Sequence, residues 1–164
     1  MSYRHLLEPA LADRRRWMNM LAEQLENGCA SPIELQMGIA LLGSDMAAIA
    51  FTTIQTELPS QTHGFYILPQ HQVGSYRLDF GVCIYDEIGL VRVAVECDGH
   101  DFHERTKQQA AHDKSRDRFL LEQGWPVMRF TGSEIHKNAP ACANQVVKFL
   151  YGLMSAKREQ GAVG

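Results

Sequence analysis

The segment from Gln70 to Asp98 constrains the fold most, because its two turns fix how three strands pair. Gly74-Ser75 is a Gly-X pair suited to a two-residue hairpin loop, and Asp86 to Gly89 is a four-residue turn between β-rich runs. Each turn sets a register, so the strands predicted at residues 65–73, 76–85 and 90–97 form one antiparallel unit. A loop is predicted before them, over residues 52–64.

This register places three polar side chains in one row across the sheet. Counting outward from the first turn puts Gln70 opposite Asp79, and counting outward from the second puts Asp79 opposite Glu96. Opposed Cβ atoms lie roughly 4.5 to 5.5 Å apart, and like charges there are destabilising. The arrangement is reasonable if a hard divalent cation lies between the carboxylates, because Mg²⁺ prefers oxygen ligands.

The rest of the chain predicts helices around these strands. An N-terminal helix covers residues 3–27, and Ser31-Pro32 begins a second helix that runs to about Phe51. A charged helix over about 104–123, a strand over 125–130, a connection over 131–140 and a helix over 141–157 follow. The second helix has apolar residues at spacings of three and four, which predict its sheet-facing side: Leu35, Ile39, Leu42, Met46 and Ile49.

Composition limits the class of protein. The chain has 164 residues, 45% of them apolar, and a formal net charge of -3, so any binding to nucleic acid must come from local clusters of Lys and Arg. Its four cysteines show no close pairing of the kind that zinc sites or disulfide frameworks use. With no signal-peptide core and no long apolar run, we expect a reducing, cytoplasmic setting and no membrane partner.

Several motifs resemble a known superfamily. The αβββαβ order, the segment Tyr76 to Phe80 and the run Val95 to His103 resemble the PD-(D/E)XK nucleases, and most closely the branch of very-short-patch repair endonucleases and E-D-H-D homing endonucleases. The resemblance spans about Ser31 to Phe149. It implies an α/β (α+β) fold with a restriction-endonuclease-like core, in which a mixed four-stranded sheet is flanked by helices. We expect a helical extension over residues 1–30, the nuclease domain over 31–157 and a flexible tail over 158–164.

The resemblance also implies a metal site. Asp79 matches the metal-binding aspartate of the superfamily, Glu96 matches the acid of its E-x-K element, and the backbone carbonyl of Cys97 completes the protein ligands. Glu34, on the first core helix, matches the acid that the superfamily often adds from that helix. Its position three residues after Ser31 is also that of a capping box. Mg²⁺ is the expected cofactor, with Mn²⁺ as a substitute.

Asp98 departs from the pattern, because it stands where the superfamily usually has a lysine. In the repair-endonuclease branch a histidine helps to activate water, and His103 is the matching residue. Asp113 matches the acid that supports this histidine, although pairing with Arg116 one helical turn later would also explain Asp113. Asp98 is a second acid able to accept the other ring N–H of His103.

The expected substrate is DNA. Candidate contacts to its backbone are Lys107, Lys114 and Arg116 on the charged helix, Arg129 beside the fourth strand, and Gln70. A solvated helical face would equally explain each basic residue, and cross-strand pairing would explain Gln70. A homodimer is compatible with the sequence, but no heptad pattern indicates one.

Three functions fit these residues. The first is a Mg²⁺-dependent endonuclease that acts in repair, restriction or mobile-element biology. The second is a nuclease fold without catalysis that serves as a DNA-binding or protein-interaction module, which the missing lysine and the acidic net charge favour. The third is a metal-dependent hydrolase acting on another phosphate ester.

Overall fold

The computed structural model describes residues 4–44, 52–59, 62–99 and 107–161. Within these ranges the chain forms four helices and seven strands. The helices are α1 (Arg4–Gly28), α2 (Pro32–Leu42), α3 (Lys107–Glu122) and α4 (Gly132–Gly161). The strands are β1 (Thr52–Ile54), β2 (Gly64–Pro69), β3 (Gln72–Val73), β4 (Tyr76–Arg77), β5 (Phe80–Asp86), β6 (Gly89–Asp98) and β7 (Val127–Thr131).

Five strands make the main sheet, in the order β1-β2-β5-β6-β7. The two outer pairs are parallel and the two inner pairs are antiparallel, so the sheet is mixed as predicted. The predicted register is confirmed, since Val73 pairs with Tyr76 and Tyr85 pairs with Leu90. The αβββαβ core predicted from the resemblance is present, with β1 as an additional edge strand.

The sheet separates two hydrophobic layers. On one face, buried residues of α1, α2 and α4 pack together against alternate residues of the strands, including Val91, Val93 and Val95. On the other face, α3 and the small β3–β4 hairpin cover a second cluster that contains Trp125 and Leu120. The side chains of β6 therefore alternate between the layers, and Ala94 faces the second one.

Several predicted elements differ in the structure. The strand predicted over 76–85 is divided into β4 and β5, which belong to different sheets. Residues 52–54, predicted as loop, pair in parallel with β2. The predicted strand over 65–73 is two strands, because Gln70 takes a left-handed conformation with a φ of 52°. The predicted connection over 131–140 is mostly helical, and only Asn138 interrupts α4. There the Asn138 side chain accepts a hydrogen bond from the Ala141 backbone N–H at 3.1 Å, which caps the second part of α4.

The predicted buried face of α2 is right for Leu42, which is buried, and for Leu35, which packs against the first hydrophobic layer, but it is wrong for Ile39. Ile39 is 53% exposed, whereas Met37 and Leu41 are fully buried. Met46 and Ile49 lie outside the described residues, and α2 ends at Leu42 with Gly43 as its C-cap. Nearly every position of this helix is apolar, so the pattern alone did not define its rotation about the axis.

The first and last helices can be compared with the predicted domain bounds. Leu21 and Leu25 of α1 belong to the first hydrophobic layer, although they fall in the predicted extension. At the other end, α4 continues to Gly161, past the predicted helix end at residue 157. The bounds of the nuclease domain stay a prediction. No helix among the described residues has the length and apolar character needed to cross a membrane.

Candidate active site

Asp79 lies at a bend between the β3–β4 hairpin and β5. The β5–β6 ladder reaches Phe80 and Val95, so the predicted pair of Asp79 and Glu96 is the next step of the same register, just past the last ladder pair. Instead of continuing the ladder, Asp79 Oδ2 accepts a hydrogen bond from the Cys97 backbone N–H at 2.7 Å. This bond fixes the carboxylate at the end of β6.

Glu96 is buried on β6, with 5% of its surface exposed. By alternation along the strand it lies on the side of Ala94, toward α3. Its Oε1 accepts a hydrogen bond from Arg116 Nη2 at 2.8 Å. These two hydrogen bonds are accepted by Asp79 Oδ2 and Glu96 Oε1. Neither bond involves the second carboxylate oxygens, Asp79 Oδ1 and Glu96 Oε2.

Burial raises the pKa of both carboxyls. The pKa of Glu96 rises to about 7, because desolvation exceeds the opposing effect of Arg116, and the charge of Asp79 raises it further. The pKa of Asp79 is also raised by burial, against the lowering effect of the Cys97 N–H bond. Burial and then the charges of Asp79, Glu34 and Glu96 raise the pKa of the Cys97 thiol. Three acidic side chains, those of Asp79, Glu34 and Glu96, therefore lie close enough to the end of β6 to raise the pKa of Cys97.

Glu34 forms a variant of the capping box that its sequence position indicated, because its side chain accepts from the N–H of Ala30 and not from that of the N-cap residue Ser31. Its Oε1 accepts from the Ser31 hydroxyl at 2.8 Å, its Oε2 accepts from the Ala30 N–H at 2.9 Å, and its own N–H donates to Ser31 Oγ at 3.3 Å. The Gln70 side chain donates to Glu34 Oε2 at 2.7 Å. Both oxygens are thus engaged by protein donors, and the predicted metal role of Glu34 stays a prediction.

Asp98 and Arg129 lie at the same end of the sheet. In the parallel β6–β7 ladder Arg129 is beside Glu96, and its Nη1 lies 3.9 Å from Asp98 Oδ1. Arg129 Nη2 also donates to Asp117 on α3. Burial alone would lower the pKa of Arg129, but Asp117, Glu96 and Asp98 together raise it. Its described partners are carboxylates, and its contact to DNA stays a prediction.

The remaining predicted residues lie on α3 or outside the described chain. Asp113 is half-buried and Lys114 is exposed. Arg116 binds Glu96 and the Arg77 carbonyl, which is a different pairing from the one considered with Asp113. Lys107 begins α3, and the structure describes its backbone only. His103 lies outside the described residues, so its predicted role is a matter of sequence alone.

The donor atoms at this site suit a small hard cation by their type, whereas the number of acidic side chains limits the kind of site. Asp79, Glu96 and the Cys97 carbonyl offer only oxygen, and Mg²⁺ often takes one or two carboxylates and completes its shell with water. Within residues 4–44, 52–59, 62–99 and 107–161, no three His, Cys, Asp or Glu side chains are close enough together to hold a metal ion. A two-carboxylate site fits these residues, whereas a cage of three acidic side chains does not.

Two pairings at this site were not predicted. Glu96 with Arg116 joins residues from β6 and the middle of α3, and Arg129 with Asp117 joins β7 to the same helix. The proximity of Glu96 and Arg129 had a signal in the sequence, because a parallel β6–β7 pair brings the two residues side by side. The pairing of Arg116 had no such signal, since it depends on how α3 packs on the sheet.

A restriction-endonuclease-like family model, REase_MTES_1575, matches residues 53–150, more than half of the chain. The chain belongs to this family. The match runs from β1 to α4 and includes Asp79, Glu96 and Arg116, while Glu34 lies before it. Membership in REase_MTES_1575 confirms the predicted superfamily. It does not separate the repair-endonuclease branch from others.

One relative of this REase_MTES_1575 member is the uncharacterized protein YcjD of Escherichia coli (strain K12). The two are 39% identical over 83 residues, which cover 49% of the chain and 61% of YcjD. The chain thus spans less than two thirds of the length of this relative. No solved structure matches the chain significantly.

Proposed function

We propose that the protein is a Mg²⁺-dependent endonuclease that hydrolyses phosphodiester bonds in DNA. The observation that carries the proposal is the pair of carboxylates at the end of β6, Asp79 and Glu96, in a member of a restriction-endonuclease-like family. Burial raises both pKa values, so the ionised pair is unfavourable in the protein alone. A divalent cation would offset that cost.

The proposed ligands are Asp79, Glu96 and the Cys97 backbone carbonyl, with Mn²⁺ able to replace Mg²⁺. When bound, the cation would neutralise charge that develops on the phosphate and lower the pKa of nearby water. The chain supplies the position of the ligands, since the Cys97 N–H holds one carboxylate and the ladder of β6 holds the other.

Hydrolysis adds one water molecule across the phosphorus–oxygen ester bond. The water oxygen bonds to phosphorus, the ester bond breaks, the leaving oxygen takes a proton, and a base takes the proton of the attacking water. We assign the base to His103 from its sequence position, because a neutral histidine has a pKa near the operating pH. Asp113 or Asp98 would accept the other ring N–H and so fix the tautomer.

DNA is the proposed partner, contacted through its phosphates. Lys107 and Lys114 on α3 are the proposed contacts outside the site, and the basic side chains nearer to it are Arg116 and Arg129. Such contacts position a duplex without reading its sequence. The proposed setting is repair, restriction or mobile-element biology.

The test uses the purified chain with supercoiled, linear, mismatched and single-stranded DNA in Mg²⁺ or Mn²⁺, and with EDTA as a control. Asp79→Asn keeps the shape of the side chain and its acceptor for the Cys97 N–H. We expect its cleavage rate to fall below about 1% of the wild-type rate, because loss of a metal ligand removes several kcal/mol of transition-state stabilisation. Asp86→Asn, at the other end of β5, is the matched control and should cut normally.

The alternative function is a DNA-binding or protein-interaction module without catalysis. Asp98 in place of the usual lysine, and the ion pair that already engages Glu96, both favour it. In that case DNA binding would persist in EDTA and no divalent metal would produce nicks. Cutting by Asp79→Asn at the wild-type rate would reject Asp79 as a metal ligand, and with it the two-carboxylate site on which the endonuclease proposal rests.

A further inference from the structure

Position 98, two residues after Glu96, lacks the positively charged side chain that a phosphodiester nuclease needs near the phosphate. Asp98 is an acid, and Arg129, whose Nη1 lies 3.9 Å from Asp98 Oδ1, is bound to Asp117 as well. Negative charge on the transferring phosphate is stabilised by fixed positive groups close to it. The structure therefore calls for a positive side chain that comes from another element.

Arg116 of α3 is placed to be that group. Its Nη2 donates to Glu96 Oε1 at 2.8 Å and to the Arg77 carbonyl at 2.9 Å. A guanidinium has five N–H donors. Both of these bonds are donated by Nη2, so neither of them involves the N–H groups of Nε and Nη1. The side chain is 15% exposed, which leaves part of it within reach of a ligand from solvent.

The position of Arg116 does not depend on Glu96 alone. The Arg77 carbonyl belongs to the β3–β4 hairpin, and the Cζ atom of Arg116 lies 5.9 Å from the centre of the Tyr76 ring on the same hairpin. This hairpin packs on α3, because the Tyr76 and Phe119 rings are 5.4 Å apart and a Cβ at Gly74 would meet Phe119 at 2.7 Å. Arg116 therefore has contacts at the site that do not involve Glu96.

We propose that Arg116 is a catalytic residue that contacts the phosphate being cut and supplies the positive charge that the motif lacks at position 98. In the ligand-free protein the same guanidinium is the counter-ion of Glu96. This inference rests on the proposed nuclease function and adds a residue to it. The arginine and a divalent cation compete for one carboxylate, and the arginine then turns its remaining donors to the substrate.

The competition between Arg116 and the divalent cation for Glu96 predicts a pair of effects that a purely structural role of Arg116 would not produce. Removing the charge of Arg116 should tighten metal binding, because a positive neighbour of the site is gone, and should slow cleavage. If Arg116 served only to hold the fold, its removal would weaken metal binding and slow cleavage together.

The experiment compares Arg116→Gln with wild type in the full chain. Glutamine keeps one donor for Glu96 and loses the charge. Mn²⁺ binding without DNA is measured by electron paramagnetic resonance, and single-turnover cutting of plasmid is measured in Mg²⁺. We expect cutting to slow by about 10² to 10³-fold, as for loss of one oxyanion donor. We expect Mn²⁺ affinity to rise by about 30-fold, the effect of one unit charge on a divalent cation about 4 Å away in water.

Two more variants complete the design. Arg118→Gln removes an exposed charge from the same helix and should change neither quantity. Arg116→Lys keeps the charge without the planar fork, so it should retain wild-type Mn²⁺ affinity and part of the cutting rate. If Arg116→Gln fails to fold, Arg116→Lys decides, and a folded Arg116→Lys protein that cannot cut would overturn the inference.

The outcomes separate this inference from the function on which it rests. Cutting by Arg116→Gln at the wild-type rate, or weaker Mn²⁺ binding by this variant, would overturn the role of Arg116 and leave the nuclease proposal intact. Failure of the wild-type protein to cut DNA or to bind Mn²⁺ would overturn both.

Discussion

Replacing Glu96 by Gln should stabilise the metal-free protein at alkaline pH. The pKa of Glu96 is raised from 4.5 to about 7, so the folded state holds this proton more tightly than the unfolded chain. Ionisation of Glu96 therefore opposes folding, and the loss of stability develops as the pH rises from about 4.5 to about 7. Glutamine has no proton to lose and avoids the loss.

The magnitude follows from the size of the shift. At about 1.36 kcal/mol per pKa unit, the free energy of unfolding of Glu96→Gln should exceed that of wild type by about 3 kcal/mol at pH 8. For a chain of this size that is roughly 6 to 12 °C in Tm. Arg116 keeps an acceptor in the variant, and its attraction for the ionised carboxylate is already included in the raised pKa.

The assay is urea unfolding in EDTA at several pH values between 4.5 and 8. The advantage of Glu96→Gln should be absent near pH 4.5 and complete near pH 8. Mg²⁺ should then raise the Tm of the wild type at pH 8 and leave the variant unchanged, because only the wild type keeps both proposed ligands. A variant that is no more stable than wild type at pH 8, or whose advantage does not change with pH, would refute the reasoning.

Glu134 provides a control with the opposite sign. Hydrogen bonds from the Thr131 backbone and hydroxyl lower the pKa of this exposed carboxyl. Its ionised form is favoured in the folded protein, so its contribution to stability is present at neutral pH and is lost as the pH falls through the lowered pKa. Glu134→Gln should therefore destabilise the protein at pH 8, where Glu96→Gln stabilises it.

Substitutions at three further positions test other contacts in the structure. Gly81→Ala should lower the free energy of unfolding by about 1 to 3 kcal/mol in urea, because its Cβ would lie 2.8 Å from the buried Trp125 ring, and unchanged stability would contradict this packing. Glu34→Gln should unfold at the wild-type Tm, whereas Glu34→Ala should lose about 1 to 2 kcal/mol, and equal losses would argue against the capping box. Arg129→Met should raise the pKa of Glu96 in a carboxyl NMR titration, since the charge of Arg129 lowers it, and a lowered pKa would contradict the described site.

The pairing of the central strands could be predicted because turns are local. Gly74 and Gly89 have φ values of 59° and 94°, which glycine adopts without strain, and each closes its turn as the sequence indicated. Once a turn is set, every later pair in the two strands follows by counting. This is why the predicted register is confirmed as far as Pro69 with Phe80 and Phe80 with Val95.

The rotation of α2 could not be predicted from its residues. Its apolar run offers two overlapping faces, one with Leu35 and Ile39 and the other with Met37 and Leu41. The choice is made by contacts from distant parts of the chain, such as the packing of Gly38 against Leu25 and Phe80. Periodicity describes a helix with a polar side, and α2 has almost none.

The candidate site shows the same division between local and distant information. The neighbourhood of Asp79 and Glu96 followed from the register, and the capping box of Glu34 followed from its distance to Ser31. The bond between Arg116 and Glu96 depends on the docking of a helix that begins nine residues after β6 ends. No local rule of pairing or capping relates those two side chains.

The central claim is that Asp79 and Glu96 share one divalent cation. The most direct measurement is an anomalous difference map from a crystal of the full chain soaked in Mn²⁺. The account predicts a single strong peak between these two carboxylates, which is lost in Asp79→Asn and kept in Asp86→Asn. A map without that peak, or with its Mn²⁺ bound away from both carboxylates, would contradict it.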